Sequence, residues 1–552
     1  MLRNGLLGLV AAVALLLTAL RFTPLGTLLL GAAQARTFSL PPGNLAVPHE
    51  RTMAWSPRSA FADEMQRAWA AKPLGNPQAV GKGSAPRMLL ARLVTRTQLV
   101  ETNEFLLALR PWGNSGSRWA LHPNGDYDFT LAILTALLWL RGDEPETLFP
   151  ATREHLLHVL LTEDGSDFRS TAPVTLGIVK ETENHILMTE GSRYLKNRWL
   201  QLHGNIAPRH DNLANGMEKK LLAVLAEMRT NGFFEFNSQP YIGYTITALL
   251  NLEAFAAEPV RVAARGVLDT MNWSYALGSY RLRHFPPFRR RYEYAEATSL
   301  TFGYQSAFMQ AWLSFAPKPM DTPGLGKGGD VHALMGSCLP YRPPDRAVQL
   351  MFDKGAGYFA QLGHGPGASP EIYSAGPHFL LSAGGVHRGE RSNLITRPIT
   401  LLLDDGATDL AEAFHLAGPG GDFRQWNNTG VHRKFACAAG PVQVPARFTA
   451  ALQSGAWRIY AVQPGLTLAV YSTPELGVLG VFGEVAADEL LRAILRANPD
   501  PAMLTHTFRF PDGPLLTYEL TAPKDRWVMV AQGGTPLDRE FDHWPLLDGQ
   551  FP

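Results

Sequence analysis

The stretch NHILMTEGSRYLKNRWLQL, residues 184–202, decides the fold class of the first half of the chain. Its apolar residues recur at i, i+3, i+4 and i+7, the spacing that gives a helix one apolar stripe. Other segments share this spacing and are separated by Gly, Pro, Asn or Asp. They are PRMLLARLVTRTQLVETNEFLLAL (86–109), DFTLAILTALLWLRG (128–142), ATREHLLHVLLTE (151–163), DNLANGMEKKLLAVLAEMRT (211–230), YIGYTITALLNLEAFAAE (241–258) and PVRVAARGVLDTMNW (259–273). No fixed period joins them, so we expect an irregular toroid of paired helices rather than a regular solenoid.

After the Pro/Gly-rich segment 316–330 the apolar period changes to two, which is typical of β-strands. The runs are AVQLMF (347–352), HFLLSAGG (378–385), ITLLLDD (399–405), VPARFTAAL (444–452), WRIYAVQ (457–463), LTLAVYS (466–472), LGVLGVFG (476–483), HTFRF (506–510), LLTYELTA (515–522) and RWVMVAQ (526–532), with one helix at ADELLRAILRAN (487–498). Their number and spacing predict an antiparallel β-sandwich. The sequence therefore predicts an α+β multidomain chain. It has an N-terminal (α/α) toroid of helical hairpins at 36–318, a linker at 319–330 and a C-terminal β-sandwich domain at 331–552.

The first residues resemble an export signal. A short basic start precedes an apolar run, and Ala33 and Ala35 supply the small residues of a cleavage site after Ala35. An uncleaved membrane anchor is the alternative, but Arg21 and Pro24 interrupt the apolar run. We expect a signal peptide at 1–35, no membrane span after its removal, and a periplasmic or secreted protein.

Composition excludes several classes. With a formal net charge of +1, the chain does not present a polyanion-binding surface throughout, although a local basic groove is compatible with that charge. Cys338 and Cys437 are the only cysteines, which excludes a four-cysteine zinc site and allows at most one disulfide. His155 and His158 lie one helical turn apart without a third ligand in view, so we predict no metal and no cofactor.

The start of the helix at 184–202 concentrates polar groups, since Glu181, Glu183, Asn184 and His185 fall within five positions. Neighbours on a helix point about 100° apart, so Asn184 and His185 can share a cleft at the first turn. The alternative is that Thr182 or Asn184 caps the helix and His185 fills a polar gap.

A second polar helix start is NGFFEFNSQPYIGY, residues 231–244. Tyr241 and Tyr244 are three residues apart, which places both hydroxyls on one helix face. Packing at a helix end is the alternative reading of this pair.

A third candidate is SYRLRHFPPFRRRYEY, residues 279–294, in which arginines alternate with aromatic residues. Guanidinium groups bind carboxylate or sulfate in forked geometry, while aromatic faces stack on sugar rings. A solvated basic loop is the alternative. Because the chain is expected to be exported, an anionic polysaccharide is a better partner than nucleic acid.

These groups suit β-elimination from a uronic-acid glycan. The reaction removes the C5 proton beside the carboxylate and expels the oxygen on C4, so the carboxylate charge must first be neutralised. Asn184 can donate an amide hydrogen bond to it, His185 can act as a protonated helper or as the base, and a Tyr can exchange protons. A nearby Arg would favour the ionised form of that Tyr.

The chain resembles the helical-toroid polysaccharide lyases, the group that contains alginate, hyaluronate/chondroitin and heparin-type lyases. Asn184-His185 is similar to the adjacent Asn-His pair of alginate lyases, and residues 231–244 are similar to the Tyr-bearing helix entrance of hyaluronate lyases. The resemblance implies carboxylate neutralisation by Asn184, a base or neutralising role for His185, and acid/base chemistry at Tyr244 or Tyr241. Where the hyaluronate enzymes have a His before the Tyr, this chain has Asn237. The predicted substrate-binding residues are Glu183, Asn237, Arg281, Arg283, Arg289 and Asp128.

Two other functions compete with the lyase. A glycoside hydrolase needs two carboxyls facing each other across the bond, and the candidates are Asp126, Asp128, Glu181, Glu183 and Glu235. A non-catalytic exported glycan-binding protein would keep the groove without turnover.

Overall fold

The computed structural model describes residues 46–77, 84–111, 126–172, 180–239, 241–289, 297–326, 328–362, 371–384, 394–395, 397–417, 430–522, 528–537 and 546–550. Within these ranges a helical N-terminal region is followed by antiparallel sheets, so the predicted α+β class and the order of its two parts are confirmed. The predicted signal peptide, residues 1–35, lies outside them. None of the helices in these ranges is long and apolar enough to cross a membrane.

Most helices of the described ranges bury apolar residues in one large core. Their bounds are α1 Ala60–Ala70, α2 Ala85–Thr95, α3 Leu99–Ala108, α4 Asp128–Arg141, α5 Pro150–His155 (continued by a π-helical turn, Leu156–Leu160), α6 Glu183–Leu202, α7 Met217–Asn231, α8 Tyr241–Phe255, α9 Glu258–Gly278, α10 Tyr304–Leu313, α11 Asp330–Cys338, α12 Asp345–Phe352 and, within the β region, α13 Ala487–Ala497. Helices α4, α6 and α8 pack side by side, which brings their N-terminal turns together.

The strands are short, and every pairing among the described strands is antiparallel. Their bounds are β1 Ser279–Tyr280, β2 Arg283–His284, β3 Phe288–Arg289, β4 Gly357–Leu362, β5 Glu371–Gly376, β6 Phe379–Gly384, β7 Leu394–Ile395, β8 Ile399–Leu403, β9 Phe414–Leu416, β10 Gly430–His432, β11 Phe435–Ala438, β12 Val442–Gln443, β13 Leu452–Ser454, β14 Trp457–Gln463, β15 Leu466–Ser472, β16 Gly477–Phe482, β17 Thr507–Arg509, β18 Leu515–Tyr518, β19 Met529–Gln532, β20 Thr535–Pro536 and β21 Leu546–Gln550.

Two predicted strands are wrong. The run AVQLMF lies in α12, because its buried residues Ala347, Val348, Leu350 and Met351 follow helical rather than alternating spacing. The first strand of more than two residues in the described ranges therefore begins at Gly357. Most of VPARFTAAL is irregular and contains one turn at residues 446–447, in which the Phe448 N–H donates to the Pro445 carbonyl. Cys338 and Cys437 are both free thiols.

The sheets are stacked on the helical region. A seven-stranded sheet has the order β12-β9-β8-β6-β5-β4-β21, and a six-stranded sheet has the order β10-β11-β16-β15-β14-β13. Successive residues of a strand point to opposite faces. Accordingly Phe359 and Ile372 join the core between the two sheets, whereas Tyr358 and Tyr373 join the core of the helical region. The seven-stranded sheet is thus covered on both faces, which explains its nearly continuous apolar strands.

The C-terminal turn of α9 packs directly against this sheet and the segment before it. Tyr373 of β5 packs so tightly against Gly278 that a Cβ there would lie 2.3 Å from its ring. The Tyr358 hydroxyl donates to the Leu277 carbonyl at 2.6 Å, and the Lys354 ammonium donates to the Ala276 carbonyl at 2.8 Å. The end of α9 and the sheet are therefore fixed relative to each other, and residues on both sides can line one site.

Candidate functional site

Three helix starts meet around the ring of Phe129. This residue is the second of α4, and its ring centroid lies 5.5 Å from that of His185 on α6 and 4.3 Å from that of Tyr244 on α8. Both contacts are edge-to-face, an arrangement that aromatic rings favour. The imidazole and the phenol, separated by 59 positions in the sequence, thus share one neighbour. We call Asp128, Phe129, Asn184, His185 and Tyr244 the helix-start cluster.

His185 is paired with Asp128, the first residue of α4. Nδ1–H of the imidazole donates to a carboxylate oxygen of Asp128, and both side chains are largely buried. Burial by itself would lower the pKa of His185, but the adjacent Asp128 carboxylate, helped by Glu181 and Asp126, raises it to about 9. At neutral pH the ring is therefore an imidazolium, a cation and hydrogen-bond donor rather than a base.

Asn184 is completely buried at the first turn of α6. Its carbonyl oxygen accepts a hydrogen bond from the Thr182 hydroxyl at 2.6 Å, and its amide nitrogen has no partner among the described residues. Thr182 occupies the N-cap position of α6, but no side-chain hydrogen bond caps the helix there. Since a buried donor without a partner costs about 1–3 kcal/mol, this amide is a plausible contact for a ligand oxygen.

Tyr244 is half-buried in the first turn of α8 and is surrounded by nitrogen-bearing side chains. The Arg87 guanidinium lies 5.6 Å from its ring centroid, and the His332 ring lies 5.4 Å away. Arg87 is fully buried, which lowers its pKa. His332 is also buried and its pKa is lowered well below 6.5, first by burial and then by Arg87, so it is neutral. A Cβ on Gly243 would lie 2.3 Å from the His332 ring, so α8 approaches that ring closely only because residue 243 is glycine.

The remaining predicted acid and tyrosine lie beside the helix-start cluster. Tyr241 is the half-buried first residue of α8. Glu183 is buried, and its carboxylate accepts the backbone N–H of Glu235 at 2.7 Å, a contact that ties the start of α6 to the segment before α8. The predicted substrate-binding role of Glu183 remains a prediction.

The predicted arginines are engaged elsewhere. Arg281 forms an ion pair with Asp404 at 2.6 Å, and the buried Arg283 forms one with Asp405 at 3.1 Å, so both join the β1–β2 hairpin to the end of β8. Arg289 is buried with its guanidinium 4.2 Å from the Phe234 ring centroid. Among the described residues, no contact links Arg281 or Arg283 with the helix-start cluster. Arg290 and Arg291 lie outside the described residues.

A cleft of about 460 Å³ opens between the helical region and the sheet. Its walls include Asn237 and Gln239 before α8, His284 of β2, Tyr304 at the start of α10 and Arg397 before β8. Tyr304 connects this junction cleft with the helix-start cluster, because its ring centroid lies 4.3 Å from that of His332, which in turn contacts Tyr244.

A chain of hydrogen bonds supports the wall of the junction cleft. Asn237 adopts a left-handed conformation (φ 49°), and its amide donates to a carboxylate oxygen of Glu371 at 2.6 Å. The Tyr373 hydroxyl donates to the other carboxylate oxygen at 2.5 Å, and it lies 3.5 Å from Nε2 of His284. Burial lowers the pKa of His284 to about 4 and raises that of Tyr373. Both side chains are therefore neutral at pH 7.

Sequence reasoning missed Arg87, His332, Glu371 and Arg397. Arg87 and His332 lie in apolar stretches, where nothing in the sequence marks a charged or polar side chain as close to Tyr244. Glu371 and Arg397 belong to strands or strand entrances of the β region, which the change of apolar period predicts to be a separate domain. The one available signal was His284, because it lies inside the quoted arginine-rich segment.

Among the described residues, no group of three or more His, Cys, Asp or Glu side chains is arranged to hold a metal ion. No protein-family model, no curated protein and no solved structure matches this chain.

Proposed function

We propose that this chain is a polysaccharide lyase that cleaves a uronic-acid-containing anionic glycan by β-elimination. The observation that carries the proposal is the helix-start cluster, in which a buried, unpartnered amide adjoins an imidazolium one aromatic ring away from a tyrosine. In this proposal the helical region is an α/α toroid, the two large sheets are a β-sandwich, and the protein acts in the periplasm or outside the cell.

The positive charge on His185 supports a role in neutralising the substrate carboxylate. The substrate carboxylate accepts hydrogen bonds from the Asn184 amide and from the His185 imidazolium, which together neutralise the charge that opposes loss of the C5 proton. A base with a pKa near 9 would be occupied by its proton at neutral pH, so His185 serves as the neutralising group. Asp128 holds the ring in the required orientation and keeps it protonated.

A tyrosine then carries the proton. The C5–H bond breaks, its proton passes to the phenolate oxygen of a deprotonated Tyr244 or Tyr241, the C4=C5 double bond forms, and the C4–O bond breaks. The leaving oxygen takes a proton, which the same tyrosine can return. Tyr244 is the better candidate, because its ring contacts Phe129, which also contacts His185, and the Arg87 guanidinium lies 5.6 Å from its ring centroid.

Product chemistry tests the proposal. The purified chain is incubated with alginate, hyaluronan, chondroitin, heparin-like and bacterial capsular glycans, and the products are followed by ultraviolet absorbance and mass. A lyase gives absorbing products whose summed mass equals that of the substrate. Saturated products that have gained one water would instead show a glycoside hydrolase. Binding without any product would favour a glycan-binding protein.

A further inference from the structure

Charge in the junction cleft is unevenly distributed. Of the residues that line it, Arg397 is the only one with a permanent charge, and no Asp or Glu is among them. His284, the other titratable nitrogen base in the lining, is neutral at pH 7 because burial lowers its pKa to about 4. The Glu371 carboxylate is not part of the lining and accepts hydrogen bonds from Asn237 and Tyr373. The lining therefore favours an anionic ligand over a cationic one.

The guanidinium of Arg397 is held in place by aromatic rings and a backbone carbonyl. The Arg397 guanidinium carbon lies 4.5 Å from the ring centroid of Phe285 and 4.7 Å from that of Phe288, and one of its nitrogens donates to the Ala297 carbonyl at 2.9 Å. Arg397 is 5% exposed, and burial lowers its pKa to about 9, so it remains charged at neutral pH. A planar guanidinium that is already oriented and poorly hydrated suits a planar carboxylate, with which it can form two parallel hydrogen bonds.

A second polar group points independently to a ligand. Gln239 is 9% exposed, and its amide nitrogen donates to the Phe302 carbonyl. Its amide oxygen is buried and has no hydrogen-bond partner among the described residues. A buried acceptor of this kind is satisfied by a hydroxyl donor, and sugars supply such donors around the whole ring.

The rest of the lining fits a sugar ring. Phe302, Tyr304 and Tyr275 provide aromatic surface, and Asn237 and Ser299 provide polar groups. Tyr304 of the lining contacts His332, and the His332 ring contacts Tyr244 of the helix-start cluster.

We propose that the junction cleft is a subsite for one hexuronate residue, whose carboxylate pairs with Arg397 and one of whose hydroxyls donates to the Gln239 amide oxygen. The inference rests on the proposed function in taking this sugar to be part of the glycan that is cleaved at the helix-start cluster. The recognition itself involves no bond cleavage and can be measured without turnover.

The test compares two isosteric ligands by calorimetry on the full chain. D-glucuronate carries the carboxylate, and D-glucuronamide replaces it with a neutral amide. We expect glucuronate to bind at least tenfold more tightly to the wild-type chain, and this preference to disappear in Arg397→Gln. Arg342→Gln is the matched control, because its guanidinium is also stacked on a phenylalanine, 3.8 Å from the Phe315 ring centroid, but lies outside the cleft. It should keep the preference.

A second variant separates the cleft from the helix-start cluster. In Asn184→Ala/His185→Ala the cluster cannot hold a carboxylate, yet the tenfold preference should persist. If Arg397→Gln does not fold, this double variant and Gln239→Leu test the inference. Gln239→Leu should lower the affinities for glucuronate and glucuronamide about equally. A preference that survives in folded Arg397→Gln, or is lost in the double variant, overturns the inference. In that case, elimination that depends on Asn184 would still support the proposed function. A preference for glucuronate that is retained without any elimination would support the subsite alone.

Discussion

The carboxylate of Asp128, the first residue of α4, accepts a hydrogen bond from Nδ1 of His185, which lies 57 positions later at the first turn of α6. This contact makes His185 a cation at neutral pH, because the carboxylate raises the pKa of the imidazole to about 9 against the opposing effect of burial. The functional assignment of the helix-start cluster depends on that charge.

Removing the Asp128 charge should move the pH profile of the elimination reaction. In Asp128→Asn the imidazole stays buried without its main anionic partner, so its pKa falls from about 9 toward or below the usual value of about 6.5. We expect the alkaline loss of kcat/KM to begin more than one pH unit lower than in the wild type. Asp143→Asn is the control, because Asp143 pairs with the exposed His203 at 2.7 Å. An unchanged alkaline limb in Asp128→Asn would rule out His185 as the group that must stay protonated.

The same pair should make folding stability depend on pH. The pKa of His185 is higher in the folded chain than its unfolded value near 6.5, so its stabilisation is fully present below pH 6.5 and is lost as the pH rises through about 9. The shift corresponds to stability on the order of 3 kcal/mol. We expect the difference in unfolding free energy between wild type and His185→Gln to shrink as the pH is raised from 6 to 10. A constant difference would contradict the raised pKa.

Gly243 should be intolerant of a methyl group. A Cβ at this position would lie 2.3–2.7 Å from the His332 ring, and that ring is confined by Tyr304 and Phe308. Gly243→Ala must displace the first turn of α8, which carries Tyr244. We expect a loss of about 1–3 kcal/mol in unfolding free energy, together with reduced turnover.

Gly191→Ala provides the comparison for that substitution. Gly191 is also helical, but a Cβ there would lie 3.7 Å from Leu252, an ordinary van der Waals contact. Because alanine is favoured over glycine inside a helix, Gly191→Ala should leave stability unchanged or raise it by up to about 1 kcal/mol. Equal effects of the two substitutions in chemical denaturation would show that the contact with His332 does not constrain α8.

The sequence predicted those helices and strands whose apolar period can be read within a single segment. The amphipathic spacing at residues 184–202 and 241–258 gave α6 and α8 nearly to their ends, and alternating strands such as WRIYAVQ became β14. The prediction was wrong at AVQLMF, where a six-residue run is too short to distinguish helical spacing from alternation. It was also wrong at VPARFTAAL, since Pro445 cannot donate to a sheet and the chain turns there.

The helix-start cluster was partly predictable, because Asn184, His185 and the tyrosines are all polar residues at helix starts. Their approach around Phe129 is a consequence of how α4, α6 and α8 pack and is not encoded in any single segment. The junction cleft was not predicted, since Arg397 lines it and Glu371 supports its wall through Asn237 only because the sheet packs against the helical region. The arginine-rich pattern also did not reveal that Arg281 and Arg283 form ion pairs with Asp404 and Asp405 at the end of β8.

The most direct test of the account is the rate of formation of unsaturated product by point variants on the best glycan substrate. Asn184→Asp, His185→Ala and Tyr244→Phe should each lower the rate about a hundredfold or more in protein that is still folded under the assay conditions, because each would lose a group that the proposed mechanism places against the reacting sugar. His158→Ala is the control, since His158 is exposed and pairs only with Glu154 among the described residues, and it should turn over normally. Near-normal rates in all three cluster variants would contradict the central claim.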